Sequence, residues 1–162
     1  MQWAKNLGML VLSVWLVLAG AIHLFGFGWS YGHLNYLMDV LGIVAGAAML
    51  WTLRGTSLGM LFVSIWLILV GVRDLLGITR SYEYLNWLVD ILGVAAGVLL
   101  LWTLKTRKLG ALFLSAWLIL AGLKDLFGVG EYRHVRWLLA ILLLAAGVSY
   151  LWALLRGKEA AA

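Results

Sequence analysis

Three times over, this chain sets down a pair of apolar runs, each about 18–23 residues long. The first members are "LGMLVLSVWLVLAGAIHLFG" from Leu7, "LGMLFVSIWLILVGVRDLLG" from Leu58 and "LGALFLSAWLILAGLKDLFG" from Leu109. The second members are "LNYLMDVLGIVAGAAMLW" from Leu34, "LNWLVDILGVAAGVLLLW" from Leu85 and "VRWLLAILLLAAGVSYLW" from Val135. The copies repeat at an offset of about 51 residues, the third being one residue shorter in its connecting loop. A helix rises about 1.5 Å per residue, so each run reaches across a hydrocarbon core of about 30 Å. Inside lipid a backbone must satisfy its own hydrogen bonds, and a single run does so only as a helix. The expected fold is therefore an all-α membrane protein with transmembrane helices over 4–26, 33–53, 57–77, 83–104, 108–128 and 133–155. Residues 1–162 read as a single membrane domain of three tandem two-helix hairpin repeats, 4–55, 56–106 and 107–156, with a cytoplasmic tail over 157–162.

Composition agrees. The chain is 65% hydrophobic and 12% charged, with a mean hydropathy of +1.03, whereas a soluble domain carries about 25% charged residues. The absence of Cys excludes disulfides, thiolate metal sites and a cysteine nucleophile. The absence of Pro removes the usual cause of a helix kink. A net charge of +5 invites a nucleic-acid reading, but the bases are scattered between apolar runs and form no patch, so no nucleic-acid partner is expected. The first run resembles a signal peptide in its apolar stretch and "AGA" before His23; its match to the third and fifth runs argues that it is kept.

Charge also orients the chain. Lys5, Arg54, Lys105, Arg107, Lys108, Arg156 and Lys158 fall on one side, with Glu159 as the acid among them. The positive-inside rule makes that side, and both termini, cytoplasmic. Trp51, Trp102 and Trp152 recur there, where an aromatic belt belongs. Two helices per repeat give every hairpin the same orientation, so the repeats are expected to be related by rotation about the membrane normal. That is unlike the inverted repeats of many secondary transporters.

The intramembrane charges are the sharpest local signal, because each is costly in hydrocarbon without a partner. Asp39 and Asp90 lie on the second helices of the first two copies, and Arg73 and Lys124 on the first helices of the last two. The last helix has Ala140 near the acid position, and the first has Ile22 in place of the base. This complementary loss predicts hairpin-to-hairpin ion pairs, Asp39–Arg73 and Asp90–Lys124, in an open row or broken ring. On the same stripes as the acids, Gly42 with Gly46 and Gly93 with Gly97 form GxxxG motifs that let helices approach closely.

Asp74 and Asp125 follow the bases by one residue and point about 100° away. If the first helices line a common centre, His23, Asp74 and Asp125 converge near the outer surface. One imidazole and two carboxylates are a set able to hold a divalent metal or relay protons. The plain alternative is loop-capping acids and an interfacial histidine. His33 and His134 start helices at the outer side, and no histidine lies deep enough in an apolar run to make a haem site expected. Trp15, Trp66 and Trp117 share one repeat position on a face of small residues, which reads as packing. Ser13, Ser64 and Ser115 lack a neighbouring base and are expected to bond back to their own helices. No motif for nucleotide binding or hydrolysis occurs, and neither an enzyme nor a cofactor is expected.

The recurring Ser-x-Trp of Ser13/Trp15, Ser64/Trp66 and Ser115/Trp117 resembles the SPW-repeat type of small bacterial membrane protein, with Val14, Ile65 and Ala116 where that motif has proline. The three-hairpin layout is also similar to the acid-resistance membrane protein family. Either resemblance implies a bacterial inner-membrane protein without catalysis, tied to stress or to larger assemblies. The leading expectation is a structural or accessory protein that binds a membrane partner or copies of itself. One rival is a small channel or transporter for protons, metal ions or a small solute, using the His23, Asp74 and Asp125 cluster. A de novo designed repeat protein is the other.

Overall fold

The structure is a computed structural model that describes residues 2–25, 32–52, 58–77, 83–103, 109–128 and 133–156. It contains six helices: α1 (Gln2–Phe25), α2 (Gly32–Thr52), α3 (Leu58–Leu75), α4 (Glu83–Thr103), α5 (Leu109–Leu126) and α6 (Arg133–Leu155). Each is long and apolar enough to cross a membrane. The outward faces keep large apolar side chains exposed, Leu10, Val44, Leu61, Ile91, Val98 and Ile141 among them, as contact with lipid requires.

Helices α3 and α5 end two residues before the expected boundary. Gly77 and Gly128 adopt φ of +63° and +65°, a left-handed conformation that glycine takes without a Cβ clash. The Leu76 and Gly77 N–H groups then donate to the carbonyls of Val72 and Asp74, at 3.0 and 3.2 Å, and close the helix end.

The six helices form a closed ring. Each packs on its two neighbours in the chain, and α6 packs on α1. This corrects the expected open row or broken ring, and the physical reason is a glycine seam. A Cβ at Gly20 would stand 3.1 Å from the Ala140 carbonyl oxygen, and one at Gly147 would stand 2.9 Å from the Val17 nitrogen. The same contact recurs around the ring: Gly71 lies against the Asp39 carbonyl and Gly122 against the Asp90 carbonyl. The last seam therefore closes as the other two do, by backbone approach.

The GxxxG glycines divide their work. Gly46 and Gly97 face the Ser64 and Ser115 carbonyls of the next hairpin, with close-packed backbones. Gly42 and Gly93 instead make room for indoles, Trp15 and Trp66 respectively. Ser13, Ser64 and Ser115 are fully buried, and their hydroxyls donate to the carbonyls of Met9, Met60 and Leu112 on their own helices. Leu12, Leu16, Met49, Leu67, Leu100 and Leu114 fill the half of the ring nearest the termini.

Tyr150 closes that half on α6, its ring against Gly110 of α5. It is 3% exposed, and its hydroxyl has no hydrogen-bond partner among the described residues. A buried polar group without a partner costs about 1–3 kcal/mol. Tyr150→Phe is therefore expected to leave thermal stability unchanged or raise it by about 1 kcal/mol. A clear fall in the melting temperature of the purified protein would show that the hydroxyl is held.

Candidate functional site: a charged cavity over a tryptophan floor

The first helices carry Trp at equivalent positions, about 14–15 Å from the ends where α1, α3 and α5 finish. The ring brings the three indoles together. Trp117 meets Trp66 edge-to-face with centroids 5.6 Å apart and Trp15 at 6.5 Å. The Trp15 Nε1–H donates to the Met38 carbonyl at 3.0 Å, and the Trp66 Nε1–H donates to the Val89 carbonyl at 3.1 Å. Each bond ties a first helix to the second helix of its own hairpin. A tryptophan spacing that reads as packing thus has a second consequence, since the cluster is a partition.

Between this partition and the hairpin-tip ends of the helices lies a cavity of about 1380 Å³. Pockets for small molecules are about 300–1,000 Å³, so the space is ample for one. The indoles line its floor, and Ala19, Val70 and Ala121 its lower wall. The last turns of α1, α3 and α5 contribute His23, Arg73 with Asp74, and Lys124 with Asp125. The opening turns of α2, α4 and α6 contribute Asn35, Asp39, Asp90 and Arg136. Sequence reasoning named most of the charged members, but not that Trp15, Trp66 and Trp117 would serve as their common floor.

The expected hairpin-to-hairpin ion pairs are replaced. Arg73 Nε donates to Asp74 Oδ1 at 2.8 Å, and Lys124 Nζ lies 2.9 Å from Asp125 Oδ1. Arg73 Nη1 also reaches Asn86 Oδ1 at 3.4 Å. Among the described residues no ion pair joins Asp39 to Arg73 or Asp90 to Lys124. The reason is local. Gly71 and Gly122 press the backbones of α3 and α5 against the carbonyls of Asp39 and Asp90. With the backbones so placed, the long basic side chains fold back on the acid next door. Both pairs are part-exposed, at 20% and 32% for Arg73 and Asp74 and 28% and 48% for Lys124 and Asp125. They contribute little to stability, but they neutralise two bases and two acids at the cavity wall.

His23, Asp74 and Asp125 line the same cavity, yet among the described residues no three His, Cys, Asp or Glu side chains come close enough together to hold a metal ion. The ring spreads them over α1, α3 and α5 at its rim. His33 and His134 are exposed at the helix starts. Compared with known proteins, the chain matches no family model, no curated protein and no solved structure.

Proposed function

We propose that the protein is a non-enzymatic, multi-pass protein of a bacterial inner membrane that binds a small solute in its central cavity, as the solute-receiving half of a transporter or sensor. In this reading the termini face the cytoplasm, following the Lys and Arg asymmetry. The three hairpins are related by rotation about the membrane normal, and the cavity opens away from the cytoplasm. The single observation that carries the reading is the charge-lined cavity above the tryptophan cluster. A purely structural ring has no use for ionisable side chains turned inward, because each costs desolvation. A scaffold role would place recognition on the outside of the ring, where the exposed side chains named above are of the kind lipid contacts. An open channel fits less well, because the half below the indoles is filled with leucine, methionine and alanine.

The natural absence of Cys makes this testable with single cysteines. Ala121→Cys is placed on the cavity wall, and Ala111→Cys in the packed half, where the residue is 3% exposed. In proteoliposomes of known orientation, a membrane-impermeant thiol reagent on the non-cytoplasmic side is expected to modify residue 121 at least about tenfold faster than residue 111, since a solvated thiol ionises more readily than a buried one. Equal rates, or modification of residue 121 only from the cytoplasmic side, would end the proposal.

A further inference from the structure

The repeat places an acid on each of the first two second-helices directly after the carbonyl that an indole grips. Trp15 bonds to Met38, followed by Asp39; Trp66 bonds to Val89, followed by Asp90. Both carboxylates and all three indoles line one cavity. In the third copy the fully buried Ala140 stands beside Trp117's share of the floor, so the acids occupy one side of the ring.

The charges of the cavity do not cancel there. Arg73 is held by Asp74 and Lys124 by Asp125. Asp39 and Asp90 are outside any ion pair among the described residues, and both are half-buried. The base outside these pairs, Arg136, is exposed in the first turns of α6. Depth separates them as well: the acids lie about 10 Å along their helices from the tip end and Arg136 about 5 Å. The lower part of the space is therefore anionic and the upper part carries one base and His23.

Two of the three floor indoles also give an anion nothing to bind. An anion needs N–H donors, and those of Trp15 and Trp66 are committed to backbone carbonyls. What these rings offer is apolar surface, and an indole attracts a cation that reaches its face within about 6 Å. A bare metal ion is poorly served, since Asp39 and Asp90 stand on α2 and α4 with α3 between them in the ring. A cation with an apolar body suits the volume and the lining together.

We infer that the ligand class of the cavity is a small organic cation, an amine or quaternary ammonium compound, with its charged head on the Asp39 and Asp90 side of the cavity and its apolar body on the Trp15, Trp66 and Trp117 floor. The inference rests on the solute-binding reading above. It is tested with the full chain in lipid nanodiscs, titrated with choline, tetramethylammonium and phenethylammonium, and with the neutral alcohol in which carbon replaces choline's nitrogen. Tryptophan emission and calorimetry are the readouts. Saturable binding of at least one cation is expected, with the neutral alcohol and Asp39→Asn or Asp90→Asn each weaker by about tenfold or more. Binding of the alcohol as tight as that of choline, or no saturable response to any of the three cations, would overturn it. So would unchanged affinity in both folded Asn variants; if either variant misfolds, the cation–alcohol comparison on the unaltered chain decides. Rapid labelling of Ala121→Cys without any cation response would retire the cation and leave the solvent-filled cavity standing.

Discussion

Trp117→Ala is expected to destabilise the ring more than the same change at Trp15, and to deepen the cavity into the packed half. Trp117 is the indole that touches both others, at 5.6 and 6.5 Å, and all three are 9% exposed. In a soluble core such a truncation costs about 3–5 kcal/mol, part of it transfer of the side chain to water. In a bilayer the unfolded indole rests in lipid, so the transfer part shrinks and the lost packing remains. The net expectation is a loss of about 2–3 kcal/mol, read as a lower midpoint in a denaturing-detergent titration. Because the missing ring is also the partition, Leu118→Cys combined with Trp117→Ala should become reactive to the impermeant reagent, whereas Leu118→Cys alone, at a position 1% exposed, should not. A Trp117→Ala protein of unaltered midpoint and unaltered labelling would show that the indoles do not form the floor.

The helices themselves were the most legible feature of the chain. Long apolar runs have one solution in lipid, and all six observed helices lie within two residues of the expected runs at both ends. At Leu75 and Leu126 the difference arose from a glycine whose left-handed turn looks, in sequence, like one more small residue. The ring closure was not legible, because α6 and α1 meet through Gly20 and Gly147, small residues of the same kind that occur at every seam. Absence of charge at the two chain ends suggests absence of a neighbour, but a glycine seam needs no charge. The ion pairs failed for a related reason. Helical periodicity says which face a residue occupies, but an arginine or lysine stem spans the 100° between adjacent positions and finds the nearest acid. The inward-facing charges at the tip ends were visible as a set, since Arg73, Asp74, Lys124 and Asp125 interrupt otherwise apolar helices. Their shared cavity depends on the ring, which no local pattern encodes.

If backbone contact at glycine holds neighbouring helices together, a side chain at one of the tight contacts should part them. A Cβ at Gly59 would stand 2.6 Å from the Leu100 Cα and 2.7 Å from its nitrogen. Those atoms belong to the α4 backbone and move only with the helix. Gly42 offers the contrast, since its Cβ would meet the Trp15 Nε1 at 3.2 Å, an atom at the end of a side chain. Alanine gains up to about 1 kcal/mol of helix propensity over glycine, which offsets part of any clash. Gly59→Val carries a larger side chain into the same backbone and lacks much of that offset. It is expected to cost about 3 kcal/mol and to part α3 from α4 at the end nearest the termini, while Gly42→Ala costs under about 1 kcal/mol. The separation is measurable as the distance between spin labels on single cysteines at Leu61 and Leu101, whose outward side chains are 41% and 42% exposed. A longer distance for Gly59→Val with an unchanged one for Gly42→Ala is the expected pattern. An unchanged distance and midpoint in Gly59→Val would mean that the two backbones do not touch and that glycine does not set the spacing of α3 and α4.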